Sequence, residues 1–566
     1  MMFKMFTPLI LVIFCCTGGL FAQDGQLDST FAGDGILLAD FAEGTETIND
    51  IVQQPDEKLV AVMSSRYPNP ETFDIQVVRF NPDGTNDSTF ADNGVFRYRN
   101  DSGSDLGYDL ELLDDGSFLV AGSWATPDPA DTDFHLFKLT PQGELDSAFG
   151  TNGSTVMKID SSEDYARAIA VTNSGEIYLG GDSKVPGFSR SRNVIMKLNA
   201  AGLVDSTFGT NGVFMWNDHL EGAATSSLRQ LLITPEGDLL TSGRTKPSGT
   251  DRISLYKVKP DGSGLDSSFA VNGELLSPLQ GYGYGLTMHP NGTILVTGQN
   301  LTTDGNDLVV AAFDGNGVSV PDFGVFGVVT VNPGINEAGL DIAIQPDGMI
   351  VVCGETGGTV FSGPPRQFLS VRMDITGVID STWGDNGIVT TMTSDFFAFP
   401  NAILVQSDGK IVLGGASATQ TTGNDLTLVR YGNFIDADGD GYSIVDDCDD
   451  FVFEINPGAF DIANNGIDED CNGEDSPVAV RFVDLSSSFE AYPNPALDEV
   501  VLRTNDPSLQ ALQIEVFTAN GRLLSSFAPA FGPLNTTVSL RDFPAGMLVI
   551  RVQTETGTAV KRIVKL

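Results

Sequence analysis

The densest chemistry in the sequence is a run of oxygen ligands, Asp436-Ala437-Asp438-Gly439-Asp440-Gly441-Tyr442, continued by Asp446-Asp447-Cys448-Asp449-Asp450. Counted from Asp436 as the first ligand, Asp438 is third, Asp440 fifth, Gly441 sixth where the loop must turn sharply, Tyr442 seventh as a backbone carbonyl donor, and Asp447 twelfth. That order suits calcium, a hard ion that takes ~6–8 oxygens and draws together carboxylates that would otherwise repel one another. A second cluster, Asn464 to Cys471, contains Asp468 and Asp470 and either completes the same site or forms another. Cys448 and Cys471 flank the segment and, in an exported chain, are expected to form a disulfide worth roughly 3 kcal/mol. The expected ion is structural rather than catalytic. Only three histidines occur, His135, His219 and His289, each in a different repeat, so an imidazole site for zinc or copper has little material.

The order Asp-x-Asp-Gly-Asp-Gly-Tyr, then Asp-Cys-Asp-Asp, Asn456-Pro457-Gly458-Ala459 and Asn-Gly-Ile-Asp-Glu-Asp-Cys-Asn-Gly resembles the metal-binding motif of MopE-type surface proteins. The segment 435–475 is therefore expected to be an acidic metal-binding unit closed by its cysteines.

Around this segment the chain repeats itself. Leu27-Asp28-Ser29-Thr30-Phe31 returns as Asn86-Asp87-Ser88-Thr89-Phe90, Leu145-Asp146-Ser147-Ala148-Phe149, Val204-Asp205-Ser206-Thr207-Phe208, Leu265-Asp266-Ser267-Ser268-Phe269 and Ile379-Asp380-Ser381-Thr382-Trp383. A degenerate copy, Pro321-Asp322-Phe323-Gly324, fills the gap, and the aromatic positions 31, 90, 149, 208, 269, 323 and 383 mark seven units. Inside each unit two apolar runs flank a tight turn, as in Ile342-Ala343-Ile344-Gln345-Pro346-Asp347-Gly348-Met349-Ile350-Val351-Val352, which is a hairpin signature. A further alternating run and the strand after the marker make four strands per unit. Such repeats either stack as an open solenoid or close as a propeller, and closure removes the exposed strand edges that template aggregation. The expected fold class is all-β: a seven-bladed β-propeller over 24–434, the acidic calcium-binding segment, and a small C-terminal β-sandwich. The marker aspartate is expected to fold its carboxylate onto nearby N–H groups as an Asx turn, with the aromatic packed between blades. Leu-Asp-x-x-Phe-Gly-x-x-Gly followed by the hairpin resembles the delta-60 repeat family of bacterial exported proteins, a resemblance that implies a propeller and no particular reaction. Unit six departs most from it.

Charge and targeting narrow the function. Thirty-one Lys and Arg against 75 Asp and Glu give a formal charge of −44, which repels phosphate backbones, so nucleic acid is not an expected partner. With 63 glycines, 28 prolines and 19% charged residues the composition suits a turn-rich β protein. Residues 1–22 read as a secretory signal, with Lys4, the apolar run Pro8 to Phe14 and cleavage after Ala22. No other stretch reaches the ~20 apolar residues of a spanning helix. Cys353, in an apolar run, is expected to be a buried thiol.

From about residue 485 the repeat is gone. Ala491-Tyr492-Pro493-Asn494-Pro495, then Val516-Phe517-Thr518-Ala519-Asn520-Gly521-Arg522, Phe543-Pro544-Ala545-Gly546-Met547 and Lys561-Arg562-Ile563-Val564-Lys565-Leu566 resemble the type A sorting domain of the type IX secretion system over 485–566. The resemblance implies passage to the cell exterior or surface, with the secretion machinery as a partner. The expected function is a non-catalytic binding or adhesion module for a glycan or protein ligand. No residue is singled out as catalytic or cofactor-binding. The alternatives are a propeller hydrolase or lyase acting on polysaccharide and a passive surface-coat component. An active site should break the repeat in one or two units, and the insertions Ser183 to Ser191 and Thr356 to Pro365 are where a break is sought.

Overall fold

The computed structural model describes residues 24–566 except 42–43, 69–70, 101–102, 129–130, 160–162, 189, 217–224, 248, 359–363, 419–422, 434–441, 443–446, 450–451, 460, 463–464, 474–484, 506–508, 510, 520, 530–534 and 555–556. The expected signal segment 1–22 lies outside the described residues. Among these residues the chain is all-β, with one three-residue 3₁₀ turn at Ser486–Ser488, and it divides into two compact units.

In the first unit every sheet is antiparallel, and all but the last are built from chain-consecutive strands. Thr45–Gln53, Leu59–Pro68, Glu71–Phe80 and Val95–Tyr98 form one four-stranded sheet in that order. Similar sheets begin at the strands Leu106–Leu112, Asp164–Val171 and Ala338–Ile344. The sheets are out of phase with the sequence repeat: the strand after each marker joins the hairpins that precede it. The first such strand, Ile36–Ala39, has no hairpin before it among the described residues. It pairs instead with Asn424–Tyr431 of the last sheet, Ile36 opposite Val429.

One region differs. Between markers 269 and 323 the unit is 54 residues long rather than 59, and there the strand Glu274–Met288 runs unbroken for 15 residues. Its first half pairs with Arg252–Val258 and its second with Ile294–Leu301, merging two sheets into one of seven strands. The residues missing from the unit are those that elsewhere form the loop between sheets.

Apolar faces of successive sheets bury one another. Val60, Val62, Ile75, Val77 and Phe90 pack on Leu110, Phe118, Val120, Phe137 and Leu139. The same kind of core joins the first sheet to the last, with Phe31, Ile48 and Ile51 against Ala402, Val412, Leu426 and Leu428. The leading strands contact in a cycle: Thr45–Gln53 meets Leu106–Leu112, which meets Asp164–Val171, then Ser226–Ile233, Glu274–Met288, Ala338–Ile344 and Ala398–Val405, which returns to Thr45–Gln53. Each marker aromatic from Phe31 to Trp383 is buried, and Cys353 is a buried free thiol.

In the second unit, Phe489–Tyr492, Glu499–Thr504 and Asn535–Ser539 form a three-stranded sheet, and Leu523–Phe527, Ala511–Thr518, Gly546–Thr554 and Thr558–Lys565 a four-stranded one. A single core containing Val500, Leu502, Val538, Ile514, Val516, Leu548, Ile550 and Ile563 joins the two sheets.

Candidate functional site

Each leading strand carries a β-bulge about midway. The pairing register slips between Ile48 and Asp50, Gly107 and Asp109, Ala166 and Ala168, Leu228 and Gln230, Gly283 and Leu286, Gly339 and Asp341, and Pro400 and Ala402. A bulge leaves a residue out of the ladder and re-aims its side chain, a device common beside functional sites. The cause is legible in the neighbouring strand. Six of the seven paired positions are glycine: Gly122, Gly181, Gly243, Gly298, Gly354 and Gly415, with Met63 in the first sheet. A Cβ on Gly181 would stand 1.9 Å from the Tyr165 carbonyl oxygen, and one on Gly415 would stand 2.0 Å from that of Phe399.

The bulged residues Asn49, Tyr108, Arg167, Arg229, Tyr284, Leu340 and Asn401 line one cavity of about 190 Å³. One comes from each leading strand. Where the surrounding repeat is uniform, these positions hold an amide, a phenol, two guanidinium groups, another phenol, an isobutyl group and a second amide.

On one side the polar groups stitch neighbouring strands. Asn49 Nδ2 donates to the Gly107 carbonyl at 2.6 Å and Asn401 Nδ2 to the Ile48 carbonyl at 2.8 Å. Asp50, Asp109 and Asp341, each next to a bulge, accept backbone N–H groups of the following sheet from Leu110 (3.0 Å), Ile169 (2.6 Å) and Ile403 (3.1 Å). Burial raises all three carboxyls, Asp341 to about 7. The mutual approach of Asp50 and Asp109 adds to the rise at Asp50.

The other side is cationic and aromatic. The Arg167 guanidinium pairs with Asp182 and lies 4.9 Å from the Tyr108 ring centre and 5.0 Å from that of Tyr165. Arg244 lies 5.0 Å from the centre of Tyr282, which stacks on Tyr284 at 6.2 Å. Burial raises the phenols of Tyr108, Tyr165 (to about 12) and Tyr284, so none is poised as a base near neutrality. Sequence reasoning missed this site. The described parts of the insertions at Ser183 to Ser191 and Thr356 to Pro365 contribute no residue to the cavity. A larger hollow of about 370 Å³ between the second and third sheets is lined mainly by turns that recur in each unit, with Glu111 and Asp114 as acids particular to this unit.

In the acidic segment, Asp436, Asp438 and Asp440 lie outside the described residues. Cys448 and Cys471 form a disulfide with Cα atoms 5.5 Å apart. Asp447 is nine-tenths buried; its Oδ1 accepts the Asp449 N–H at 2.9 Å, and its Oδ2 is buried without a hydrogen-bond partner. Asp470 Oδ1 is likewise buried and unpartnered. Asp468 accepts the N–H groups of Asn472 (3.1 Å) and Gly473 (2.7 Å), Asp449 is exposed, and Tyr442 lies against Gly458. Asp461 and Glu469, not singled out in the sequence, are also buried. Among the described residues, the acid that sits with other donor atoms is Asp447, and its neighbours there are the two disulfide sulfurs. Asp449, Asp468 and Asp470 are not gathered with it. The orphaned Asp447 oxygen suits a hard cation, which Asp447 would help to hold; the ion would supply charge neutralisation and rigidity.

Residues 490–566 match the secretion system C-terminal sorting domain, 447–477 the MopE metal-binding motif, and 54–90, 172–208 and 406–433 a β-propeller domain of unknown function, DUF5122. No curated protein matches the chain. Among solved structures it is similar to a polysaccharide lyase, Uly1 (10% identity, 70% of this chain and 91% of that one, TM-score 0.41). It is similar also to a virginiamycin B lyase from Staphylococcus aureus (10% identity, 70% and 98%, TM-score 0.39) and to the β-propeller domain of the Trilobed protease from Pyrococcus furiosus (11% identity, 70% and 95%, TM-score 0.36). Among the described residues no helix is long and apolar enough to cross a membrane. The chain thus carries β-propeller repeats, a disulfide-closed metal-binding motif and a C-terminal domain that directs it by type IX secretion to the cell surface or exterior.

Proposed function

We propose that residues 24–434 form a closed, seven-bladed propeller that binds an extracellular ligand in the cavity lined by the seven bulged residues. In this reading 435–475 holds a structural calcium ion and 485–566 is the sorting domain. The observation that carries it is the convergence of Asn49, Tyr108, Arg167, Arg229, Tyr284, Leu340 and Asn401 on one cavity. A passive coat would have no use for amides, phenols, guanidinium groups and one aliphatic side chain distributed over seven positions where the repeat is otherwise uniform. Closure is supported by the cyclic contact of the leading strands and by the pairing of Ile36–Ala39 with Asn424–Tyr431.

Binding without turnover is favoured because Asp50, Asp109 and Asp341 each hold a backbone N–H of the next sheet. A hydrolase or lyase is the second reading, supported by those same carboxyls, raised toward the range of a general acid. A glycan array and a polysaccharide-degradation screen on the secreted protein separate the two. Saturable binding that Asn401→Ala and Tyr284→Ala weaken, without product, supports the module; product formation abolished by Asp341→Asn replaces it with the enzyme.

A further inference from the structure

We propose that the cavity selects a saccharide unit bearing a single carboxylate, held by Arg229 between the Tyr108 and Tyr284 sides. This rests on the binding reading above and names its ligand class.

Cations are scarce in this chain, 31 against 75 acids, and the arginines of the repeat are tightly held. Arg79 pairs with Asp87 at 2.8 Å, Arg430 with Asp28 at 2.9 Å, and Arg372 with Asp380 at 2.6 Å. Arg229 is different. It is half-buried on the cavity wall, and among the described residues it has no ion pair and no hydrogen bond. Its charged neighbours include two more guanidinium groups, Arg167 and Arg244. Those two have acids of their own. Asp182 takes Arg167 and also the Ser227 hydroxyl at 3.1 Å; Asp251 lies 3.5 Å from Arg244 and is shared with Lys246 at 3.9 Å.

Of these three guanidinium groups Arg229 is the one without an acid of its own, on the tyrosine side of a cavity whose other side carries Asp50, Asp109 and Asp341, acids that each hold a backbone N–H and that burial favours in the neutral form. Burial and the nearby Arg167 already pull the Arg229 pKa down. A carboxylate set against Arg229 offsets both effects. A carboxylate also matches the planar guanidinium fork.

The rest of the cavity favours a polyhydroxylated ring over a peptide side chain. Leu340 is the one aliphatic residue among the bulged positions, while Asn49, Asn401 and Gln230 offer amides and the tyrosines offer flat faces with hydroxyl ends. At about 190 Å³ the cavity is below the ~300–1,000 Å³ common for drug-sized ligands, and it suits one sugar unit of a longer chain.

Titration calorimetry on the full secreted chain tests this with four probes: an oligogalacturonate, its methyl ester, a sulfated oligosaccharide of equal length, and a peptide with a free C-terminal carboxylate. The oligogalacturonate is expected to bind, the ester at least tenfold more weakly. Arg229→Ala should reduce acid binding at least tenfold with an unchanged melting temperature, and Arg229→Lys should restore part of it. Equal affinity for acid and ester, undiminished binding by Arg229→Ala, or a preference for the sulfated or peptide probe each overturns the inference. A neutral glycan whose binding depends on Asn401 and Tyr284 but not on Arg229 overturns it while leaving the binding reading standing. No binding by any probe or array glycan overturns both.

Discussion

Val320 donates its N–H to the Ala312 carbonyl at 3.0 Å, in the place where Asp87 donates to Arg79 at 3.0 Å. The backbone bond recurs at Asp28, Asp146, Asp205, Asp266 and Asp380, each bonding to the carbonyl of a Lys or Arg, and in each of these pairs the side chains also meet. Only the unit with Val320 lacks both charges, and it lacks them together. The Arg79 side chain does more than pair. Its Nη1 reaches the Pro141 carbonyl of the next repeat at 2.8 Å, and its guanidinium lies 4.7 Å from the Phe90 ring centre. The charged pair is thus a fastener between neighbouring sheets.

Removing half of such a fastener should be worse than lacking it altogether. Arg79→Ala leaves the nine-tenths-buried Asp87 with only Lys58, 3.3 Å away, as its cation, and a loss of about 1.5–3 kcal/mol is expected. Arg79→Ala combined with Asp87→Val, copying the Ala312 and Val320 arrangement, should recover a large part of that loss. Denaturant melts of the two variants check this; equal destabilisation would show that the pair contributes nothing as a pair.

Stability should peak in mild acid. Burial raises Glu46 to about 8 and Asp105, Glu111, Asp164 and Asp341 to about 7. These folded values exceed the ~4 of an unfolded chain, so the folded state keeps protons that the unfolded state has released, and stability falls as pH rises from about 4 to about 8. Asp87 works the other way. Against the pull of burial, Thr89 and Arg79 hold it down to about 2, so its contribution is complete above pH ~4 and is lost toward pH ~2. A melting-temperature profile should therefore have its maximum near pH 4–5, and Glu46→Gln should flatten the alkaline limb.

Much of this was legible beforehand because it is local. The Asx turn expected at the marker is present, with the Thr30, Thr89 and Thr382 N–H groups bonded to Asp28, Asp87 and Asp380. The basic partner is equally local, since Arg79, Lys138, Lys197 and Arg372 each stand eight residues before their aspartate, but the changing residue type, Lys or Arg, masks it in the sequence. The cavity was hidden for a different reason. Which strand leads a sheet is a tertiary fact, and Arg167 or Tyr108 in mid-strand looks like ordinary variation until a bulge turns it out of the ladder. The glycine opposite the bulge was the available clue.

In the acidic segment, calcium titration should raise the protection of backbone amides between 447 and 473, and Asp447→Asn should weaken the effect at least tenfold. The physical reason is the buried, unpartnered Asp447 Oδ2, which a cation would satisfy. Hydrogen exchange with and without chelator measures it; protection indifferent to calcium would dismiss the ion.

Gly415→Ala should uncouple the fold from the site. The new methyl group would sit 2.0 Å from the Phe399 carbonyl and 2.6 Å from Pro400 Cα, both backbone atoms, so the bulge must shift rather than a side chain rotate. Overpacking of this kind costs about 1–3 kcal/mol. Asn401 is the residue the bulge presents, and its bond to the Ile48 carbonyl links the last sheet to the first. The variant should therefore fold with a lowered melting temperature and lose ligand affinity beyond what Asn401→Ala alone removes, because Ile403 also slips from Asp341. Met63 stands opposite the same register slip in the first sheet, so a side chain is already accommodated there and Met63→Gly should leave affinity nearly unchanged. Comparable affinity losses in the two variants would mean that the glycines do not set the bulges.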